Sequence, residues 1–148
     1  KDGFFMRLAG GVPIPDSTTN MTALKKFNEA FDEFHRRGWW FHIFPEACRW
    51  DFYKPLRPFQ KGAFTMSYKY NKPLLPCVIT FRERKGIFRL FGSKNLPLLT
   101  VTIGEPILPD TTKPRKIEVE RLREVAHNQM VKMAGITHNP WPVTWGNQ

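Results

Sequence analysis

The sequence predicts an α/β fold, with a largely parallel, mixed sheet flanked by helices. Two observations support this prediction. Apolar residues recur at steps of three and four in the segments 21–34 and 119–133, and short apolar runs of strand-like composition lie before and between them. Strands and helices that alternate along a chain are typical of sheets with helices on their faces. The 148 residues suit one domain, which we place at residues 1–135, followed by an irregular Trp- and Pro-rich tail at 136–148.

The first third of the chain predicts a strand, a helix and a second strand. The sequence GGVPIPD at 10–16 is a short apolar run with prolines, which favour a strand end or a sheet edge. The run WWFHIF at 39–44 predicts a short buried strand. Between them, Gly38 ends a predicted helix whose apolar face is formed by Met21, Leu24, Phe27, Phe31 and Phe34.

The remainder of the chain predicts a loop, two helices and three strands. The proline-containing residues 45–60 indicate the loop, and KGAFTMSYKY predicts a helix that begins near Gly62. Three apolar runs predict strands: PLLPCVITF, GIFRLFG and LLTVTIGEPI. Pro114 suits the start of a last helix and Gly135 its end. The inner face of that helix is predicted to consist of Val119, Leu122, Ala126, Met130 and Met133.

The chain is strongly basic, with 23 Lys and Arg residues against 13 Asp and Glu and a formal charge of +10. Such an excess favours polyanionic partners: nucleic acid, an anionic membrane surface or phosphorylated substrates. The basic residues are scattered and no nucleic-acid-binding motif occurs, so we expect no nucleic-acid partner. No apolar run is long enough to span a bilayer. The two cysteines and four histidines lack metal-ligand spacing, so we expect no metal site.

Glu46 and Arg49 form the first candidate site. Both follow the predicted strand at 39–44, and ligands of open α/β sheets bind beyond the carboxyl ends of strands. From the residues alone, this position suits a ligand site, a nucleophile site that uses Cys48, or a solvated charged loop.

Several segments, in order along the chain, resemble the motifs of a known family. FPEACRW at 44–50 resembles the F-P-E-G-T-R-S motif of the glycerolipid acyltransferases, the PlsC-like or 1-acylglycerol-3-phosphate acyltransferase family. Four more segments between residues 4 and 108 are similar to family motifs: LAGGVPIP, FQKGAF, KPLLPCVI and LTVTIGEPI. The resemblance implies a glycerol-3-phosphate acyltransferase-like fold that is incomplete at its N-terminus.

The resemblance also implies a reaction of phospholipid biosynthesis. Such enzymes transfer a fatty acyl group from a thioester, on coenzyme A or acyl carrier protein, to the hydroxyl of a lysophosphatidate-like or glycerol phosphate acceptor, without a further cofactor. Arg49 is then expected to bind the acceptor phosphate through two parallel hydrogen bonds. Glu46 would orient Arg49 or the glycerol backbone, and Lys61 would add positive charge. The acceptor pocket would be shaped by Pro45, Gly62 and Pro76.

Three positions depart from the family pattern. Ala47 replaces a glycine and would cost roughly 1 kcal/mol if that position requires a positive φ. Trp50 replaces a serine. Asp16 stands where the second motif ends in an arginine, which alters the usual phosphate site.

The family's catalytic H-x-x-x-x-D motif is absent from this sequence, because no histidine has an aspartate five positions later. In the family this motif precedes the second motif, so we expect it upstream of Lys1, in a longer protein. We accordingly expect no catalytic residue within the chain itself. The resemblance implies an enzyme on the cytoplasmic side of a membrane, held peripherally or by that upstream segment. A non-catalytic phospholipid-binding scaffold of the same fold is the alternative.

Overall fold

The structure, a computed structural model, describes residues 21–47, 55–90 and 97–141. In these ranges the chain is α/β. Its helices and strands are α1 (Met21–Arg36), α2 (Gly62–Tyr70), β1 (Cys77–Arg82), a 3₁₀ helix (Gly86–Arg89), β2 (Leu98–Ile103) and α3 (Arg115–Met133). The chain divides into two compact units, Lys1–His42 and Ile43–Gln148.

In the first unit, α1 confirms the helix predicted from the spacing of its apolar residues. Phe31 is its buried residue, and its ring centroid lies 4.8 Å from that of Phe27. Gly38 ends the helical region with a φ of 71°, and its N–H donates to His35 O at 3.0 Å. A glycine in this left-handed conformation is a common helix terminator because it lacks a Cβ.

The predicted strand at 39–44 is wrong, since these residues form neither strand nor helix. Two of its aromatic side chains, Trp39 and Phe41, fold back on the helix that precedes them. Trp39 stacks on Phe34 with ring centroids 5.2 Å apart, and Phe41 packs on Phe31 at 4.8 Å. Trp40 remains 79% exposed. Aromatic rings here cover a helix face rather than the face of a sheet, which the apolar run alone does not reveal.

In the second unit, the core lies where α2 and α3 pack together. It consists of Phe59, Phe64, Ile107, Val119, Leu122 and Ala126. Leu122 is completely buried, and Met130 packs against the edge of the cluster. The predicted inner face of α3 is therefore confirmed at its first three positions, Val119, Leu122 and Ala126. Gly135 follows this helix with a φ of 66°, as its predicted role requires.

The two strands pair antiparallel, with Val78 opposite Thr102 and Thr80 opposite Thr100. Both strands were predicted, and each is shorter than its predicted apolar run; β1 starts inside its run and ends at Arg82, just past it. Val78 is 3% exposed and faces the core, whereas Val101 is 60% exposed on the opposite face. Among the described residues this pair is the whole sheet. The parallel part of the predicted sheet stays a prediction, and its first strand at 10–16 lies outside the described residues.

The segment predicted as a strand at GIFRLFG instead begins with the 3₁₀ helix at Gly86–Arg89, so this prediction is wrong over those residues. Gly86 has a φ of 59°, which breaks the extended backbone. Arg84 Nη1 then donates to Phe88 O at 3.5 Å across the turn. The last residues of the run, Phe91 and Gly92, lie outside the described ranges.

The end of β2 approaches α3 closely at Gly104. A Cβ at this position would lie 2.6 Å from Met133 Sδ and 2.7 Å from Gln129 Nε2. Gln129 Nε2 also donates to Glu105 O at 3.1 Å. The glycine of the G-E-P-I segment is therefore explained by the space that α3 occupies.

Candidate functional site

A tight turn presents the F-P-E segment. Ala47 N–H donates to Phe44 O at 3.1 Å, and Pro45 stands in the second position, where proline favours a turn. Ala47 has a φ of 52°, in the left-handed region. The position that is glycine in the family motif therefore has a positive φ in this chain, where alanine replaces the glycine. A side chain with a Cβ costs about 1–2 kcal/mol in this region.

Glu46 is held by the segment that follows the loop. Its Oε2 accepts a hydrogen bond from Arg57 N–H at 3.0 Å, and Pro45 O accepts one from Gln60 N–H at 2.7 Å. Burial raises the pKa of the Glu46 carboxyl, while the N–H and the charge of Arg57 oppose this rise. The glutamate of the motif thus fixes residues 45–47 against residues 57–60.

Arg57 is the residue at this site that the sequence analysis missed. Its guanidinium carbon lies 4.5 Å from the centroid of the Trp141 ring, a distance typical of cation–π contacts. Asn139 Nδ2 donates to Leu56 O at 2.8 Å, beside it. The start of the tail is therefore attached to the loop. These contacts join residues more than eighty positions apart, so the sequence around Arg57 gives no sign of them. The only local feature that could have drawn attention to this position is an arginine between the apolar residues Leu56 and Pro58.

His127 lies next to the same loop, buried to 2% exposure, with its ring 4.8 Å from that of Phe59 in an edge-to-face arrangement. Burial lowers the pKa of His127, and the backbone of Leu56 and Arg57 partly opposes this. Among the residues that the structure describes, neither ring nitrogen has a partner at hydrogen-bond distance and angle. The imidazole is therefore neutral near pH 7 and takes the role of a core side chain.

Lys61 precedes α2 and forms an ion pair with α3. Its Nζ lies 2.8 Å from Glu120 Oε1, and Glu120 also pairs with Arg123. Burial raises the pKa of Glu120, but the bonds and charges of Lys61 and Arg123 outweigh burial and lower it overall. Arg123 Nη1 in turn donates to Phe59 O at 3.3 Å. Lys61 is thus fixed at one end of a network that spans both helices.

An open cleft of about 370 Å³ lies beside this ion pair, between α2 and the start of α3. Three cations and one carboxylate line it, together with a hydroxyl and an apolar side chain. The lining residues are Lys61, Thr65, Arg115, Lys116, Val119 and Glu120. The excess of positive charge suits an anionic group.

The other predicted site residues are placed as follows. Gly62 is the first residue of α2, and a Cβ there would meet nothing within 4 Å. Pro76 is buried just before β1, and its carbonyl accepts from Gly104 N–H at 2.9 Å. Their role in an acceptor pocket stays a prediction. Other residues of the predicted site lie outside the described ranges: Asp16, Cys48, Arg49 and Trp50.

The described residues contain neither a candidate membrane-spanning helix nor a candidate metal-ion cluster. No helix in ranges 21–47, 55–90 and 97–141 is long and apolar enough to cross a membrane. In the same part of the chain, no group of three or more His, Cys, Asp and Glu side chains is placed to hold a metal ion.

Comparison with known proteins assigns the chain to a class. A family model described as "Acyltransferase" matches residues 3–80, more than half of the chain. The chain therefore belongs to the acyltransferase family, the PlsC-like family whose motifs it resembles. The match covers the F-P-E turn, Lys61 and most of β1. No curated protein and no solved structure matches the chain.

Proposed function

We propose that the chain contributes the acceptor-binding part of an acyltransferase of phospholipid biosynthesis. The acyl group would move from a thioester, on coenzyme A or acyl carrier protein, to the hydroxyl of a lysophosphatidate-like acceptor. The observation that supports this most strongly is the braced F-P-E turn. Glu46 is held by Arg57 N–H, Ala47 adopts a left-handed backbone of the kind that favours glycine, and both lie inside the family match.

The proposed reaction needs a positioned hydroxyl and a base. The hydroxyl oxygen attacks the thioester carbon, its proton passes to the base, and the thiolate leaves. In the family the base is the histidine of an H-x-x-x-x-D motif, which this sequence does not contain. We therefore assign acceptor binding and positioning to these residues, and proton removal to a group outside them.

Phosphate binding is assigned to Arg49, three residues after Glu46. A guanidinium matches a phosphate group through two parallel hydrogen bonds, which fixes the direction of the attached glycerol. Glu46 Oε2 is committed to Arg57 N–H, so Oε1 is the oxygen that we assign to orienting Arg49. Pro45 stiffens the turn that carries Glu46.

Lys61 is the second cation of the proposed site. In the structure its charge is balanced by Glu120. The acceptor phosphate would compete with Glu120 for Lys61, supported by Arg115 and Lys116 in the same cleft. Such an exchange costs little, because exposed ion pairs are worth at most about 1 kcal/mol.

A membrane surface is part of the proposal because the acceptor and the product are lipids. The excess of basic residues suits the anionic cytoplasmic leaflet, which attracts Lys and Arg at about 1 kcal/mol each. We therefore place the protein at the cytoplasmic side of a membrane.

One observation favours a second candidate function, a phospholipid-binding scaffold without activity. Glu46 and Lys61 both make structural contacts, with Arg57 and Glu120 respectively. Such a scaffold would bind the lipid and transfer nothing.

The test is acyl transfer by the complete natural protein, with radiolabelled acyl-CoA and lysophosphatidate. We expect labelled phosphatidate. Lys61→Ala should raise the acceptor KM several-fold with little change in kcat, because a phosphate contact is lost. Lys132→Ala, an exposed lysine near the other end of α3, should leave both values unchanged. Lysophosphatidate binding without transfer would favour the scaffold, and neither binding nor transfer would refute both functions.

A further inference from the structure

The segment 83–90 displays apolar side chains to solvent in a way that the proposed chemistry does not use. Ile87 is 64% exposed, Phe88 49% and Leu90 81%. We call this segment the 83–90 loop. It follows β1, lies beyond the residues that the family model matches, and contains the 3₁₀ helix. Large apolar side chains grouped on a surface mark an interaction site.

The backbone of the 83–90 loop keeps these side chains outward. Gly86, with a φ of 59°, turns the chain, and Arg84 Nη1 donates to Phe88 O across the turn. Leu90 N–H donates to Ile87 O at 3.1 Å. The loop is therefore a hydrogen-bonded turn with an apolar tip.

The charged residues around the apolar tip indicate which kind of partner the 83–90 loop binds. Between residues 82 and 90 the sequence carries four cations and one carboxylate. Arg82 and Lys85, at the base of the apolar tip, are both exposed. Apolar side chains rimmed by Lys and Arg suit the boundary between headgroups and acyl chains of an anionic bilayer.

We propose that the 83–90 loop docks the protein on an anionic membrane. Ile87, Phe88 and Leu90 enter the headgroup–acyl boundary. Arg82 and Lys85 contact the lipid phosphates at the membrane surface. The inference rests on the proposed function only in that a lipid acceptor requires contact with a bilayer, and the docking itself involves no acyl transfer.

The outer face of the sheet provides a matched control. Leu99, Val101 and Ile103 are 60–64% exposed, much like the loop residues, but they point out from a strand and not from a turn with flanking cations. If exposure alone drove binding, replacing these residues would weaken it as much as changing the loop.

The experiment is flotation of the complete protein with phosphatidylcholine vesicles, with and without phosphatidylserine. We expect binding only with phosphatidylserine. The triple variant Ile87→Ser, Phe88→Ser, Leu90→Ser should bind on the order of 100-fold more weakly. Lys85→Gln should lose about fivefold. The control triple Leu99→Thr, Val101→Thr, Ile103→Thr, in which threonine keeps the strand preference, should bind as the wild type does.

Several results would overturn the proposal: equal binding to neutral vesicles, equal losses in both triple variants, or unchanged binding in the loop variant. A loop variant that unfolds at lower temperature or changes its oligomeric state would show that protein covers the loop instead. Transfer to a dissolved short-chain lysophosphatidate separates the two proposals. The loop variant should transfer acyl groups to this dissolved acceptor as the wild type does. If the wild-type protein itself shows no such transfer, the proposed function is contradicted and the docking proposal is not.

Discussion

Ala47 holds a backbone conformation that disfavours its own side chain. With a φ of 52°, it adopts a left-handed conformation that favours glycine, although it carries a Cβ. Ala47→Gly should therefore stabilise the protein by about 0.5–1 kcal/mol, the relief of strain being partly offset by the greater freedom of glycine in the unfolded chain. Urea denaturation of both proteins measures the difference.

The control for this prediction is Ala63→Gly, on helix α2, where the backbone is helical. That change should destabilise the protein by up to about 1 kcal/mol, because glycine weakens a helix. If both glycine variants lose stability, the left-handed conformation of residue 47 is contradicted.

His127 makes stability depend on pH. Burial holds its folded-state pKa below the 6.5 of an ordinary imidazole. Above pH 6.5 the ring is neutral in both states, whereas below it the unfolded chain binds the proton first. We therefore expect the free energy of unfolding to fall as the pH drops below 6.5.

The pH dependence is measured by urea denaturation at pH 5.5 and 8. The difference between the two values should shrink in His127→Leu, since no proton is then taken up at this position. It should persist in His138→Gln, which changes an exposed histidine. An unchanged difference in His127→Leu would exclude His127 as its source.

Single side chains of the site were only partly predictable. The motif letters predicted Glu46 as a site residue because glutamate after proline in this order is specific to the family. Its partners, Arg57 N–H and through Arg57 the ring of Trp141, follow from the way the loop closes. Such contacts join distant positions, and nothing in the nearby sequence encodes them.

Helices α1 and α3 were predictable because one face of each is apolar at the helical period. The two failures share a cause. WWFHIF and GIFRLFG are apolar runs whose secondary structure depends on contacts and residues around them. In the first run, Phe41 packs on Phe31 of α1. In the second, the positive φ of Gly86 starts a 3₁₀ helix in place of a strand. Hydrophobic runs of six or seven residues do not by themselves distinguish a strand from an apolar turn.

The contact between β2 and α3 depends on Gly104. A Cβ there would come within 2.7 Å of Met133 Sδ and Gln129 Nε2. Both atoms are ends of flexible side chains, so Gly104→Ala should cost only about 1–2 kcal/mol, part of it from the lost bond between Gln129 and Glu105 O. Thermal unfolding followed by circular dichroism measures the loss.

Gly62→Ala is the matched control, since a Cβ there meets nothing within 4 Å and the residue is helical. It should leave stability unchanged or raise it by up to about 1 kcal/mol. Met133→Ala should recover part of the loss in a double variant with Gly104→Ala. A Gly104→Ala protein as stable as the wild type would contradict the close approach.

For the molecule as a whole, composition and motif order predicted the class better than they predicted the architecture. The family match confirms the acyltransferase resemblance, and the described residues are α/β. The predicted parallel sheet needs strands from residues outside the described ranges, and pairing between distant strands is not encoded by local sequence. The net charge of +10 fits the proposed anionic partners without identifying one.

Phosphate recognition by Arg49 is the central claim, and its most direct test is calorimetric titration of the complete protein with a soluble short-chain lysophosphatidate. Arg49→Ala should raise the Kd about 10- to 100-fold, the contribution of a charged hydrogen-bonded pair. Arg49→Lys should recover part of the affinity, and Lys132→Ala should match the wild type. An Arg49→Ala protein that binds with the wild-type Kd would contradict the account.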